Sequence, residues 1–251
     1  MALNKNFLFS SVGDNTNFDE LWINSNMNYD IYVIYYGDND NIFEKYKKKV
    51  KFIEKRKGSK FQNFKYFYDK YNDIINNYER FFILDDDIII NVENINEMFN
   101  ISYKYKLDIC APSFTHDSKI SYNITKHVNN VLLSYTNFVE VNTPLFSKIS
   151  LDKLMKLLDY SLIGWGIDYL YIIANGLHKK KSYAIIHKVT CKNPHDNTKK
   201  NKIRELSNIK NWKHREKYWK EFAQKNNIIE IINNIRVFSN INIKFENNLI
   251  L

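Results

Sequence analysis

Three consecutive aspartates, Asp85, Asp86 and Asp87, stand between the apolar runs 81–84 and 88–90. Carboxylates this close together repel one another unless a cation lies between them. Their oxygen atoms suit Mg²⁺ or Mn²⁺, which keep coordination positions open for substrate phosphates. In an extended segment Asp85 and Asp87 point to the same side, so both can bind one ion while Asp86 faces elsewhere. The stretch predicts a divalent-metal site, with a solvated acidic turn as the alternative.

A second group of residues, Gly164-Trp165-Gly166-Ile167-Asp168, combines two glycines, a tryptophan and an acid. The glycines allow the backbone to approach a ligand closely, and Trp165 offers a flat face for a sugar. Asp168 falls in the first turn of a predicted helix, where the helix dipole favours the ionised carboxylate that a general base requires. The alternative is a helix-start loop around a buried tryptophan.

Histidine and lysine side chains add weaker signals. His195 follows the last predicted strand and can return to the sheet as a third metal ligand, whereas His187, inside that strand, is more typical of a packed residue, and its ligand role stays open. Lys57 and Lys60 flank Gly58-Ser59 at a predicted helix start, which favours a bound anion. A lysine-rich loop is the alternative.

The elements that must position these residues alternate between strand and helix in the first half of the chain. Aromatic residues recur at helical spacing over 61–78. Apolar and β-branched runs predict strands over 7–12, 29–36, 50–53 and 80–84. Such alternation predicts an α/β fold with a mostly parallel sheet, whose ligands gather at the carboxyl ends of the strands. Gly13-Asp14, Gly37-Asp38 and the aspartate triplet all fall at such ends.

The second half is less regular. Its patterns predict helices from Ser150, as the N-cap, to Leu158, over 167–175 with Gly176 as the stop, and over 211–226. They also predict strands over 107–114, 138–146 and 183–191, with Pro144 suited to a strand end. The segment beyond residue 227 has no clear pattern.

Length and composition describe a globular protein of 251 residues with 44% hydrophobic and 26% charged residues. The net charge of +9 predicts an anionic partner, but the lysines are scattered and no nucleic-acid motif is present. Two cysteines without a pairing pattern indicate a reducing compartment. With no apolar run of about 20 residues and no signal-peptide core, we expect a cytoplasmic protein without a transmembrane segment.

Taken in order, the apolar strand, the DxD triplet, Gly-Trp-Gly-x-Asp and the late histidine resemble glycosyltransferases of the GT-A type. The chain is more narrowly similar to the transferase-like group called DUF707, in these motifs and in the segment 138–147. The resemblance covers about residues 5–197. It implies a Rossmann-like GT-A domain over 1–197, with a C-terminal helical extension over 198–251 packed on the same domain.

The resemblance also implies roles for individual residues. Asp85 and Asp87 would bind Mn²⁺ or Mg²⁺ against the donor diphosphate, and His195 would complete the metal shell. Asp168 would be the base of an inverting reaction, with Glu140 as an acceptor-side residue or second base. The remaining donor contacts would come from the first two strand ends and neighbouring side chains: Ser11, Val12, Gly13, Asp14, Asp38, Lys57, Lys60, Asp86 and Trp165. The expected partners are a UDP-sugar and a carbohydrate acceptor.

Two other classes of function remain at this stage. A metal-dependent phosphoesterase or nuclease would use Asp85, Asp87 and His195, but such sites usually hold two metals, and the sequence offers no second cluster of ligands. A non-catalytic module that binds a nucleotide-sugar or carbohydrate would keep the fold without turnover.

Overall fold

A computed structural model describes residues 5–177, 179–198, 205–228 and 234–243 of the chain. Its described strands form one nine-stranded sheet in the order β3-β2-β1-β4-β7-β5-β8-β6-β9. The strands are β1 (Asn6–Val12), β2 (Asp30–Tyr35), β3 (Phe52–Lys55), β4 (Arg80–Asp85), β5 (Ile109–Phe114), β6 (Val131–Thr136), β7 (Leu145–Ser147), β8 (Tyr183–Cys191) and β9 (Val237–Asn242). The helices are α1 (Phe18–Leu21), α2 (Asp40–Lys47), α3 (Lys60–Lys70), α4 (Asn72–Ile75), α5 (Val92–Lys104), α6 (Lys148–Leu157), α7 (Ile167–Asn175), α8 (Glu205–Ile209) and α9 (Trp212–Lys225).

The first half of the sheet is parallel, as the alternating pattern predicts. Strands β3, β2, β1 and β4 lie side by side, and Ser11 of β1 is in register with Asp85 of β4. Their carboxyl ends therefore meet at one edge. Two details differ from the prediction: β3 begins at Phe52, and the helix expected over 61–78 breaks at Tyr71, between α3 and α4.

The second half of the sheet is mixed. Strand β7 lies antiparallel between β4 and β5, and β6 is antiparallel to β8 and β9. The predicted strand over 138–146 is wrong, because only 145–147 is strand, and the buried strand β6 before it was missed. The N-cap of α6 is Ser147, whose side chain accepts from the amide of Ser150, so Ser150 is not the cap.

The sheet is covered on both faces, because successive side chains of its strands point to opposite sides. Leu8 packs in the core on the side of α1, α2 and α5, whereas Phe7 and Phe9 pack in the core on the side of α3, α6 and α7. This three-layer arrangement confirms the predicted α/β fold class. In the described part of the chain, no helix is both long and apolar enough to cross a membrane.

The C-terminal extension is helical in α8 and α9, but it also contributes β9 to the sheet. Trp219 and Phe222 of α9 pack in the same core as α7. Gly166, with φ of +83°, lies directly under Trp219, and a side chain there would collide with the indole ring. The close approach explains the second glycine of Gly-Trp-Gly. The predicted boundary at residue 197 stays a prediction.

Candidate active site

A cleft opens at the carboxyl edge of the parallel strands. It encloses about 600 Å³ of space, part of it open to solvent. The ends of β1, β2 and β4 and the start of α3 form its walls, and α8 supplies two further residues. The lining residues are Ser11, Tyr36, Gly58, Ser59, Lys60, Asp85, Asp86, Asp87, Glu205 and Leu206. The structure thus brings the aspartate triplet, Ser11 and Lys60 together, as the sequence predicts.

Asp86 ties three strand ends together. Its Oδ2 accepts hydrogen bonds from the amide of Gly13 at 3.1 Å and from the hydroxyl of Tyr36 at 2.6 Å. Burial and the neighbouring charge of Asp87 raise the pKa of Asp86 to about 7, and these two hydrogen bonds oppose the shift. Asp86 therefore holds the loops after β1 and β2 against β4. The predicted contact between Asp86 and the donor sugar or ribose stays a prediction.

The ammonium group of Lys60 is fully occupied by acceptors from the protein. Its Nζ lies 2.7 Å from Asp85 Oδ1 and donates to the carbonyls of Val141 at 2.7 Å and Asn142 at 3.0 Å. These contacts use the three hydrogens of the ammonium group. The side chain is 11% exposed, so this pairing is largely shielded from water. Lys60 places one positive charge beside the triplet and fixes the segment around residue 141 to the cleft.

Four other residues predicted for the donor, Val12, Asp14, Asp38 and Lys57, are not among those that line the cleft. Lys57 pairs with Asp38 at 2.9 Å, both exposed, and Asp14 accepts a hydrogen bond from the Tyr35 hydroxyl. Val12 is fully buried and contributes only its backbone. Their nucleoside contacts stay predictions.

The predicted metal site has carboxylate oxygens, but too few protein ligands to surround an ion. In the described ranges, no three His, Cys, Asp or Glu side chains come together as a metal site, so Asp85, Asp87 and His195 do not form one. His195 is exposed and does not line the cleft. Mg²⁺ and Mn²⁺ are commonly held by one or two carboxylates plus substrate phosphates. Asp85 and Asp87 fit that mode, since both line the cleft.

His187 is a packed residue. The amide of Val128 donates to its Nδ1 at 3.2 Å, so its Nε2 carries the proton and donates to Ser134 Oγ at 2.9 Å. Burial and the nearby His127 lower the pKa of His187 to about 4. With both ring nitrogens engaged, His187 has no lone pair free for a metal.

Asp168 lies in the first turn of α7 and is 7% exposed. Its Oδ1 accepts from the amide of Tyr169 at 3.1 Å, and burial raises its pKa to about 7. Glu140 is 4% exposed, and burial, with the charges of Asp168 and Asp85, raises its pKa to about 7 as well. Two buried carboxyl groups with near-neutral pKa values thus lie close enough to influence one another.

The C-terminal extension supplies the features of the site that sequence reasoning missed. Glu205 and Leu206 of α8 line the cleft, and Leu206 also lies next to Gly164. Trp165 is 42% exposed but is not among the residues that line the cleft, so its stacking on a sugar stays a prediction. Tyr36 could have been found as a polar group at a predicted strand end. No local pattern connects Glu205 to a strand end more than a hundred residues away.

Comparison with known proteins identifies the fold. No protein-family model matches the chain, and no curated protein matches it. The chain resembles the crystal structure of S. aureus TarS 1-349 with a TM-score of 0.54 and 10% identity, over 91% of this chain and 73% of that one. It resembles TarS 1-349 in complex with UDP-GlcNAc with a TM-score of 0.50 and 10% identity, over 91% and 74%.

At this identity the likeness is one of fold. The chain has the predicted α/β fold, a partly parallel sheet flanked by helices, and shares it with TarS 1-349; the GT-A type stays a prediction. The narrower resemblance to DUF707 is not confirmed, because no family model matches.

Proposed function

We propose that this protein is a glycosyltransferase that moves a sugar from a nucleoside-diphosphate donor, a UDP-sugar, to a hydroxyl group of a carbohydrate acceptor. The observation that carries the proposal is the cleft, which joins the aspartate triplet to the N-terminus of α3 at the carboxyl edge of a parallel sheet. The binding of UDP-GlcNAc by TarS 1-349, which shares the fold, supports this donor class.

The walls of the cleft suit a diphosphate paired with a cation. Gly58 and Ser59 precede the first turn of α3, where backbone N–H groups and the helix dipole favour an anion. Asp85 and Asp87 would hold Mn²⁺ or Mg²⁺ in the same cleft. When bound, the ion would neutralise charge that develops on the departing diphosphate. Lys60, already paired with Asp85, adds positive potential without leaving its place.

Asp168 is the proposed general base. It accepts the proton of the acceptor hydroxyl while that oxygen bonds to the anomeric carbon, and the bond from this carbon to the diphosphate oxygen breaks with its electron pair. The nucleoside diphosphate leaves, and the configuration at the anomeric carbon inverts. A pKa near 7 suits the task, because a base works best when its pKa lies near the operating pH.

Calorimetry with UDP, in the presence and absence of Mn²⁺, tests the proposal directly. We expect binding that depends on the metal, and slow release of UDP from a UDP-sugar when no acceptor is present. Failure of UDP and of the other nucleoside diphosphates to bind with any divalent metal would rule out the donor site. Retention of anomeric configuration in the product would remove the role given to Asp168.

The structure adds no support for a phosphoesterase or nuclease. Two-metal hydrolysis needs further ligands around the first ion, and the described residues hold no such group. A module without turnover differs from the proposed enzyme in a measurable way, because it would bind UDP-sugar without releasing UDP.

A further inference from the structure

An irregular segment between β6 and β7 connects the donor cleft to Asp168. At one end the carbonyl of Val139 accepts a hydrogen bond from the Tyr171 hydroxyl, on the same helix as Asp168. At the other end the carbonyl of Asn142 accepts from Lys60 Nζ at 3.0 Å and from the amide of Asp85 at 3.0 Å. The segment is therefore anchored at both ends, and Glu140 lies between the two anchors.

The Glu140 side chain has a carboxyl oxygen to spare. Its Oε1 accepts a hydrogen bond from Asn142 Nδ2 at 3.0 Å. Its Oε2 is buried and has no partner with good hydrogen-bond geometry, although the nearby Ser121 hydroxyl lowers the pKa of Glu140 against the effect of burial. Proteins seldom leave a buried polar atom unsatisfied, because its hydration is lost without replacement. A ligand group that donates to Oε2 would remove this deficit.

Charges from both functional ends act on Glu140. Its pKa responds to the charges of Asp168, Asp85 and Lys60, which belong to α7 and to the donor cleft. A sugar attached to a diphosphate at Asp85 must bring its anomeric carbon towards the base at Asp168. Because the segment that carries Glu140 is hydrogen-bonded to both ends, we place the ring hydroxyls of that sugar beside it.

We propose that Glu140 binds a hydroxyl group of the transferred sugar and thereby determines which UDP-sugar the cleft accepts. This inference rests on the proposed function. A sugar hydroxyl donates and accepts hydrogen bonds, so it can pair with a carboxyl group in either ionisation state. A donor with this hydroxyl pairs with the buried Oε2. A donor that lacks it leaves Oε2 unpaired and is rejected.

The test compares UDP with UDP-sugars in the presence of Mn²⁺. Calorimetry would use wild type, Glu140→Ala and Glu140→Gln with UDP, UDP-GlcNAc, UDP-GalNAc, UDP-glucose and UDP-galactose. We expect each variant to bind UDP within about twofold of wild type. Glu140→Ala should bind the preferred UDP-sugar about tenfold or more weakly, and Glu140→Gln should lose less, because it keeps a side-chain oxygen.

Donors that lack one hydroxyl identify which hydroxyl of the sugar pairs with Glu140. The preferred UDP-sugar is prepared in forms that each lack one ring hydroxyl. One of these analogues should bind equally to wild type and Glu140→Ala, because the partner group is missing from both complexes. Glu97→Gln, on the opposite face of the sheet and 3.6 Å from Lys188, is the matched control and should bind every nucleotide as wild type does.

The outcomes separate the two proposals. If wild type binds UDP and UDP-sugars but neither Glu140 variant alters the difference between them, the role of Glu140 is wrong. The same holds if UDP and UDP-sugar weaken equally, or if only the KM of the acceptor changes. If wild type binds no nucleotide, the proposed function itself fails. Glu140→Gln keeps the shape of the side chain, so the comparison survives if Glu140→Ala does not fold.

Discussion

The acidic residues in the two halves of the sheet differ in their bonding partners. In the parallel half, the carboxylates at the strand ends have partners: Asp85 is paired with Lys60, Asp38 with Lys57, and Asp86 accepts two hydrogen bonds. In the mixed half, Glu140 and Asp168 are buried, and the described structure shows no salt bridge to either. Partnered charges hold a binding surface in shape, whereas buried carboxyl groups without a cation are costly.

This contrast suggests a division of labour. Groups with strongly shifted pKa values gather at functional sites because proton transfer needs them there. The parallel half would recognise the nucleoside diphosphate, and the mixed half would supply the base and the sugar contact. The predictions below separate these roles, beginning with the largest expected effect.

Asp168→Asn tests whether the chemistry resides in the mixed half. The amide cannot accept the proton of the acceptor, so kcat should fall by about 10² to 10⁴, while calorimetry should show unchanged UDP affinity. Asp152→Asn, in a surface ion pair with Lys148, is the control and should keep wild-type kcat. A kcat within threefold of wild type for Asp168→Asn would assign the base elsewhere.

Asp85→Asn tests whether the parallel half binds the metal and the nucleotide. The change removes a proposed metal ligand and the partner of Lys60, so Mn²⁺-dependent UDP affinity should fall by about 10- to 100-fold, or about 1.4 to 2.8 kcal/mol. Chelation of the metal in wild type should weaken UDP binding at least as much. If UDP binds equally well to wild type and Asp85→Asn, with and without Mn²⁺, the proposed metal site is wrong.

The stability that Asp168→Asn and Glu140→Gln gain over wild type should depend on pH. The native pKa of Asp168 is raised from 3.8 to about 7, so between these values the folded state binds more protons than the unfolded state. Wild-type stability therefore falls as pH rises through this window. Asp168→Asn and Glu140→Gln avoid that cost and should unfold in urea with about 1 to 2 kcal/mol more stability at pH 8.

At pH 4 the advantage of these variants should disappear, because Asp168 is then protonated in the folded protein and resembles its amide counterpart. An equal shift in stability at both pH values would mean that the effect does not come from ionisation. Such a result would also weaken the contrast between the two halves.

His187 should show the opposite pH dependence. Its native pKa of about 4 lies below the ordinary 6.5, so the unfolded state binds more protons between these values. Stability is fully present above pH 6.5 and is lost as pH falls towards 4. His187→Gln should reduce the loss of stability between pH 7.5 and pH 5 by about 1 kcal/mol, measured by urea unfolding. A loss as steep as in wild type would assign the acid sensitivity to another group.

Much of the parallel half follows from the sequence. Strands β1, β2 and β4 are strongly apolar; Gly13 follows β1, Gly37 lies two residues beyond β2, and β4 ends at Asp85. The rule that parallel strands present their carboxyl ends together therefore brings the triplet near Gly13. The bounds of α7 and β8 also agree with the prediction, because Gly166, Gly176 and Cys191 mark clear limits.

The mixed half is set by contacts between distant residues, and local patterns do not encode these. The segment 138–144 has strand-like composition, yet Pro144 has no N–H, and the carbonyl of Asn142 is occupied by Lys60 and the backbone of β4. Strand β9 is polar and mostly exposed, and exists through its pairing with β6. The described structure does not bring His195 to Asp85 and Asp87, so its metal-ligand role finds no support there, and the cytoplasmic location stays a prediction.

The pairing of β9 with β6 also covers the edge of an apolar strand. Strand β6 is buried along its whole length, with Val131, Leu132 and Leu133 in sequence, whereas β9 ends the sheet with exposed Ser239 and other polar side chains. An unpaired apolar strand is a template on which a second chain can add itself. A polar last strand blunts that template, so β9 covers the edge of β6 with side chains that favour water over a second chain.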